Sequence, residues 1–140
     1  MGQISLWIVL SILFVHWVAD FVLQTHEDAM NKSKSMVHLY NHTFTYSFFW
    51  LVPMIAILCL DIRLIPPMYA IVLSFMFCSI TFLLHTITDY FTSRLNSKLW
   101  AAERVHDFFV SIGFDQYLHY LQLFLTYKGI VLFYEIFTNT

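Results

Sequence analysis

A helix needs about 20 apolar residues to cross the hydrocarbon of a bilayer, and this sequence offers that length repeatedly. Candidate spans run from Ile4 to Leu23, from about Phe44 to Leu60, from about Met68 to Thr88 and from about Tyr117 to Phe137. A tight connection, Asp61-Ile62-Arg63-Leu64-Ile65-Pro66-Pro67, separates the second from the third, and its paired prolines end one helix and open the next. The last stretch is interrupted by Lys128, Gly129 and Glu135. Lys128 and Glu135 share a helix face and either look into the bundle or snorkel, and a break near Gly129 is the alternative. The reading is an all-α integral membrane protein of about four transmembrane helices. They form two helical hairpins in a parallel pseudo-repeat, one domain over 1–140 with halves 1–60 and 61–140.

Composition supports lipid as the solvent. The chain is 59% hydrophobic and 19% aromatic with 11% charged residues, and its mean hydropathy is +0.68. A soluble domain carries roughly a quarter of its residues as charges. The 15 Phe, 8 Tyr and 4 Trp would leave large apolar patches on a water-facing globule of 140 residues. The 7 Lys and Arg are dispersed, with no basic run for nucleic acid to meet. Cys59 and Cys78 lie in apolar stretches without a CxxC and read as small buried hydrophobes. The start, Met1-Gly2-Gln3-Ile4-Ser5, lacks a basic n-region, and Leu6 spoils a myristoylation signal, so the first segment reads as retained and spanning.

Two longer connections, about 25–43 and 89–116, hold Lys32, Lys34, Arg94, Lys98 and Arg104, whereas the short one holds Arg63. The positive-inside rule then puts the long connections in the cytoplasm and both termini outside, at the inner (plasma) membrane of a cell. The sequons Asn31-Lys32-Ser33 and Asn41-His42-Thr43 fall on the wrong side and are discounted. Leu95, Leu99, Ala102, Val105, Phe109 and Ile112 recur at threes and fours, which predicts an amphipathic helix lying in the interface.

Polar groups inside spans are costly, so their placement carries information. His16 and Asp20 are four apart, as are His38 and His42, His85 and Asp89, and Asp115 and His119. An i,i+4 pair shares one helix face. In an up-and-down bundle the ends carrying these pairs meet at one membrane face, forming HxxxD–loop–HxxxH and HxxxD–loop–DxxxH. His16, Asp20, His42, His85, Asp89, Asp115 and His119 are the candidate metal ligands. Nitrogen and oxygen donors without thiolate suit zinc, iron or manganese, and helix bundles build metal sites from such pairs. Asp115, Asp89 and Gln24 are the candidate catalytic groups. Gln24 continues the His16–Asp20 face and, like Gln116, can orient a ligand or substrate.

Each feature also has a plain explanation. Asp115 follows Gly113 and suits an N-cap. Asp89 suits an interfacial residue reached by water, and His38 and His42 suit the headgroup region. His26 and His106 suit solvated loops, and so do Lys32 and Lys34, although those lysines also suit an anionic headgroup.

The strings His16-Trp17-Val18-Ala19-Asp20-Phe21-Val22-Leu23-Gln24, His85-Thr86-Ile87-Thr88-Asp89 and Phe114-Asp115-Gln116-Tyr117-Leu118-His119, with Lys32 or Lys34 and His42 between, resemble an uncharacterised family of bacterial and phage membrane proteins. It is the domain-of-unknown-function family numbered 3307, and the resemblance covers nearly the whole chain. It implies a small polytopic protein with no established activity. In style alone, the pattern is similar to membrane-bound metal-dependent hydrolases, an analogy that does not transfer function.

Two function classes follow from these residues. One is a metal-dependent hydrolase at the cytoplasmic face, acting on a lipid or phosphate-bearing amphiphile that arrives laterally, with metal-activated water and an Asp base. The other is a metal or proton transporter or sensor, with Lys128 and Glu135 continuing the path. Bis-His haem ligation is weakened because no second histidine set faces the first. A structural interaction protein whose polar pairs only lock helices is the remaining alternative. The partners expected are the lipid bilayer and an amphiphilic substrate, with no nucleic acid, and a homo-oligomer is compatible with the sequence.

Overall fold

The computed structural model describes residues 4–60 and 65–138. Among them every regular element is helical. Helix α1 covers Leu6–Trp17 and runs directly into a π-helical turn, Val18–Val22. A short helix α2, His26–Asn31, precedes α3, Met36–Phe49, and α4, Leu51–Leu60. Two long helices follow, α5 over Pro67–Ala101 and α6 over Val105–Thr138. Helix α5 is the spine, with α6, α4 and α3 all packed along it. The Asp61–Leu64 part of the expected connection, the residues before Ile4 and Thr140 lie outside the described residues.

Two helical segments are long and apolar enough to cross a membrane, Met36–Leu60 and Pro67–Ala101, with mean hydropathies of 1.8 and 2.1. Leu6–Val22 is apolar but shorter. The outer surface is itself apolar: Leu6, Phe14, Phe44, Val52, Leu83, Phe91 and Phe133 are each at least half exposed. The core is a column of large side chains, among them Ile12, Tyr46, Trp50, Met54, Leu58, Phe77, Leu123 and Tyr127, all at most 2% exposed.

Several local expectations are corrected. The second segment begins at Met36 rather than Phe44, so the residues of the expected 25–43 connection that carry His38 and His42 are helical. Pro53 leaves the turn at Trp50 short of a backbone donor, and this is where α3 passes into α4. The amphipathic interfacial helix over 95–112 does not form. Its first half is the end of α5, its second half is the start of α6, and a turn at Ala102–Arg104 separates them. Arg104 N–H donates to Leu99 C=O at 3.0 Å and Glu103 N–H to Trp100 C=O at 3.0 Å, with Glu103 at φ 56°. That is a Schellman closure built on a left-handed residue. Glycine is the usual occupant there, and its absence hid the stop.

The same turn moves other residues. His106 is the second residue of α6, and His26 is the first of α2, so neither is a loop residue. Asp115 sits inside α6, far from any helix start, so it is no N-cap. Gly129 does not break α6 either, and Lys128 is exposed on its outer side rather than facing the bundle interior.

Candidate functional site

The π-helical turn that ends the first helix carries Asp20, and its closing bond runs from Leu23 N–H to Val18 C=O at 3.0 Å. Single π turns inside helices recur at functional sites because they re-aim a side chain. Here Asp20 points inward, 4% exposed. Helix α3 supplies His42 and Tyr46, α5 supplies His85 and Asp89, and α6 supplies Asp115, Gln116 and His119. His16, His42, His85, Asp89 and His119 are each at most 2% exposed.

These side chains meet at one centre. His42 Nε2 lies 3.1 Å from Asp20 Oδ1 and 3.3 Å from Asp89 Oδ2. His85 Nε2 is 3.1 Å from His42 Nε2 and 3.6 Å from each of Asp20 Oδ1 and Asp89 Oδ2. His119 Nε2 is 3.1 Å from Asp89 Oδ1 and 3.3 Å from Asp115 Oδ1. Asp20 and Asp89, the two carboxylates of the HxxxD strings, thus both face His42 and His85.

Two overlapping triads, Asp20–His42–His85 and His85–Asp89–His119, have ligand atoms all within 4.8 Å of one another and can hold a metal ion. The spacing suits that role. Two ligands of a tetrahedral ion at about 2.1 Å stand about 3.4 Å apart, and in the first triad His42 Nε2 lies 3.1 Å from both Asp20 Oδ1 and His85 Nε2, with Asp20 Oδ1 3.6 Å from His85 Nε2. Where the Nε2 atoms carry no proton, they and the carboxylate oxygens are all acceptors, a donor set that a cation satisfies.

The surroundings fix the rings unevenly. His16 stands one layer out, with Nδ1 2.8 Å from the Tyr46 hydroxyl and Nε2 2.9 Å from Gln116 Oε1. It is 3.8 Å from Asp20 Oδ2, too far for a hydrogen bond. Gln116 donates to Asp20 at 3.2 Å and to Asp115 at 3.1 Å, tying those carboxylates to α6. His85 has no partner on Nδ1. Its ring is instead clamped by stacking, with the Tyr46 ring centroid at 3.9 Å and that of His119 at 4.2 Å. His119 Nδ1 likewise lacks a partner.

Two expectations about this region change. Lys32 is no solvated loop residue: Nζ donates to Asp89 Oδ2 at 2.7 Å, with the Lys32 side chain 19% exposed. Burial pulls its pKa down, and the carboxylates of Asp89 and Asp20 more than reverse this, so the ammonium is held above its ordinary value. His38, by contrast, does not join the centre. Its Nδ1 donates to Asp28 Oδ1 at 2.9 Å, fastening α2 to α3. Burial raises the Asp28 pKa, but hydrogen bonds from His38 and Thr25 outweigh it and leave the carboxyl below its ordinary value. Lys34 is exposed.

Tyr46 and the inward position of Lys32 are the functional residues that sequence reasoning missed. Tyr46 follows His42 by four residues, the same spacing as the other pairs, and that signal was available.

A cavity of about 520 Å³ lies beside the centre, lined by Asp20, Gln24, Lys32, Asp115 and Gln116 together with Trp100, Phe108 and Phe109. Asp20 and Asp115 therefore face both the imidazoles and the cavity. No protein-family model, curated protein or solved structure matches this chain.

Proposed function

We propose that this chain is a multi-pass protein of the inner membrane that binds one divalent metal ion at the His/Asp centre and hydrolyses an amphiphile reaching it from the bilayer. In this reading α1 with its π turn, α3–α4, α5 and α6 are the four spans, paired as two hairpins. The carrying observation is the pair of overlapping triads, Asp20–His42–His85 and His85–Asp89–His119, beside a cavity lined in part by aromatic residues.

Asp20, Asp89 and Asp115 supply carboxylates that one zinc, iron(II) or manganese(II) ion would neutralise, and Lys32 meets Asp89 where no ion does. Such an ion would lower the pKa of bound water and polarise a substrate carbonyl or phosphoryl oxygen. Asp115 is the best-placed base, since it lines the cavity and lies 3.3 Å from His119. Gln116 holds Asp115 and Asp20 in register, and Tyr46 orients His16 and His85.

The transport reading is less well supported. Among the described residues every buried histidine and carboxylate belongs to this one centre. Below it the bundle is filled by Trp50, Met54, Leu58 and Phe77, and Lys128 lies outside.

Metal content of detergent-purified protein tests the proposal. The wild type should hold one metal per chain without haem absorbance, and His85→Ala and Asp89→Ala should hold none. Asp115→Asn should keep the metal and lose hydrolysis of chromogenic lipid esters or phosphodiesters. Metal-free wild type, or vesicle flux without hydrolysis, would refute it.

A further inference from the structure

We propose that the Lys32–Asp89 ion pair is a latch that fastens residues 25–35 to the bundle, and that a metal ion entering at Asp89 releases it and opens the cavity. The release rests on the metal reading above; the latch itself does not.

The segment has little else to hold it. From Phe21 to His38 no residue is buried, and α2 buries none of its 6 residues. A stretch with so few apolar contacts lies at the low end of a protein's local stability, so single polar ties decide its position. Thr25 caps α2 from within, its hydroxyl oxygen accepting from Asp28 N–H at 3.1 Å. Asp28 ties α2 to α3 through His38 at 2.9 Å. Among the described residues, the bond from Lys32 Nζ to Asp89 Oδ2 at 2.7 Å is the one hydrogen bond or ion pair from residues 25–35 to α5 or α6.

The latch sits at the cavity. Ala29, Met30, Lys32 and Ser33 line it together with residues of the first helix and its π turn, α5 and α6. An outward shift of residues 25–35 therefore removes part of the lining and widens the route to Asp20 and Asp115.

Metal and ammonium compete for one carboxylate. Asp89 belongs with His85 and His119 to the second triad. A divalent ion held there repels an ammonium on the same side chain, and the tie to α5 is lost. The chain thus carries its own cation for the metal-free centre, on a segment that also forms part of the cavity. Such coupling is reciprocal, so whatever holds residues 25–35 closed weakens metal binding by the same factor.

Hydrogen–deuterium exchange of the detergent-purified full chain at pH 7, with zinc content read by elemental analysis, tests both parts. Amides of residues 26–35 should exchange slowly in metal-free wild type. Zinc should accelerate them about tenfold or more, the worth of one charge-assisted hydrogen bond. Lys32→Met should show the fast rate without zinc, and zinc should add nothing to it. Lys32→Gln carries the same test should Lys32→Met fail to fold. Amides of residues 123–131 in α6 should stay protected throughout, which marks the opening as local. If the wild type binds zinc and residues 26–35 exchange no faster, the release is wrong. If a folded Lys32 variant without metal exchanges like the wild type, the latch is wrong, whether or not zinc binds. A wild type that binds no zinc refutes the release together with the metal reading, while the Lys32 variants still decide the latch.

Discussion

Lys32 reaches the centre from outside the long helices, and removing its charge should tighten metal binding while weakening the metal-free fold. In the structure Lys32 Nζ donates to Asp89 Oδ2 at 2.7 Å. An ion bound to that oxygen at about 2.1 Å would stand at most about 4.8 Å from the ammonium. At an effective dielectric near 20, a charge of +2 against +1 at that distance costs about 7 kcal/mol. The side chain is flexible and will swing away instead, so the cost reduces to the charge-assisted hydrogen bond it gives up, about 1.5–3 kcal/mol. Lys32→Gln abolishes that competition, and zinc affinity should rise roughly 10- to 150-fold. Without metal the same variant leaves three carboxylates facing one another with no cation, at a cost of about 3–5 kcal/mol. Chelator competition measures the first effect. A fluorogenic thiol dye measures the second, because Cys59 and Cys78 are half-buried and react on unfolding. Metal should rescue the variant above the wild type. Unchanged or weaker zinc binding in Lys32→Gln would show that the ammonium supports the site rather than competing for it.

Other outcomes follow from local geometry. Glu103→Gly should raise stability by about 1 kcal/mol, read by the same thiol dye, because φ 56° strains any residue with a Cβ. Asp28 is held below its ordinary pKa of 3.8 by His38 and Thr25 against the opposing effect of burial, so its contribution is complete above that pH and disappears as pH falls through the lower folded value. Hydrogen exchange over residues 26–35 should accelerate in that acid window, and Asp28→Asn should show the fast rate already at pH 7. His26→Ala and His106→Ala should leave metal content unchanged by elemental analysis, since neither ring enters the centre. A reporter inserted in the turn at 102–104 should read cytoplasmic and one fused after residue 140 external; a cytoplasmic C-terminus would mean that α6 does not cross.

What could be read from residue order alone divides along a physical line. Helical spacing is local, so the pairs His16–Asp20, His85–Asp89 and Asp115–His119 could be placed on helix faces without a structure. The structure brings all of them, with His42, to one region. The errors arose where side-chain chemistry competes with water in ways no periodicity records. Lys32 and His38 both lie near the start of α3, both are ionisable, and both suit a solvated loop. Asp89 draws Lys32 inward, whereas Asp28, capped by Thr25, draws His38 outward. Which carboxylate claims which cation depends on how α2 folds back, and that in turn depends on a cap and a π turn. The turn at 102–104 was missed for a related reason. Its stop is closed by backbone hydrogen bonds around a strained glutamate, and the apolar spacing of Leu95 to Ile112 runs straight through it. The α5–α6 hairpin that results places Ser93 and Asn96 opposite Phe108, Phe109 and Ile112 around one cavity. A continuous interfacial helix would have spread those residues along a single surface. The break therefore brings residues of both helices around one cavity beside the imidazoles.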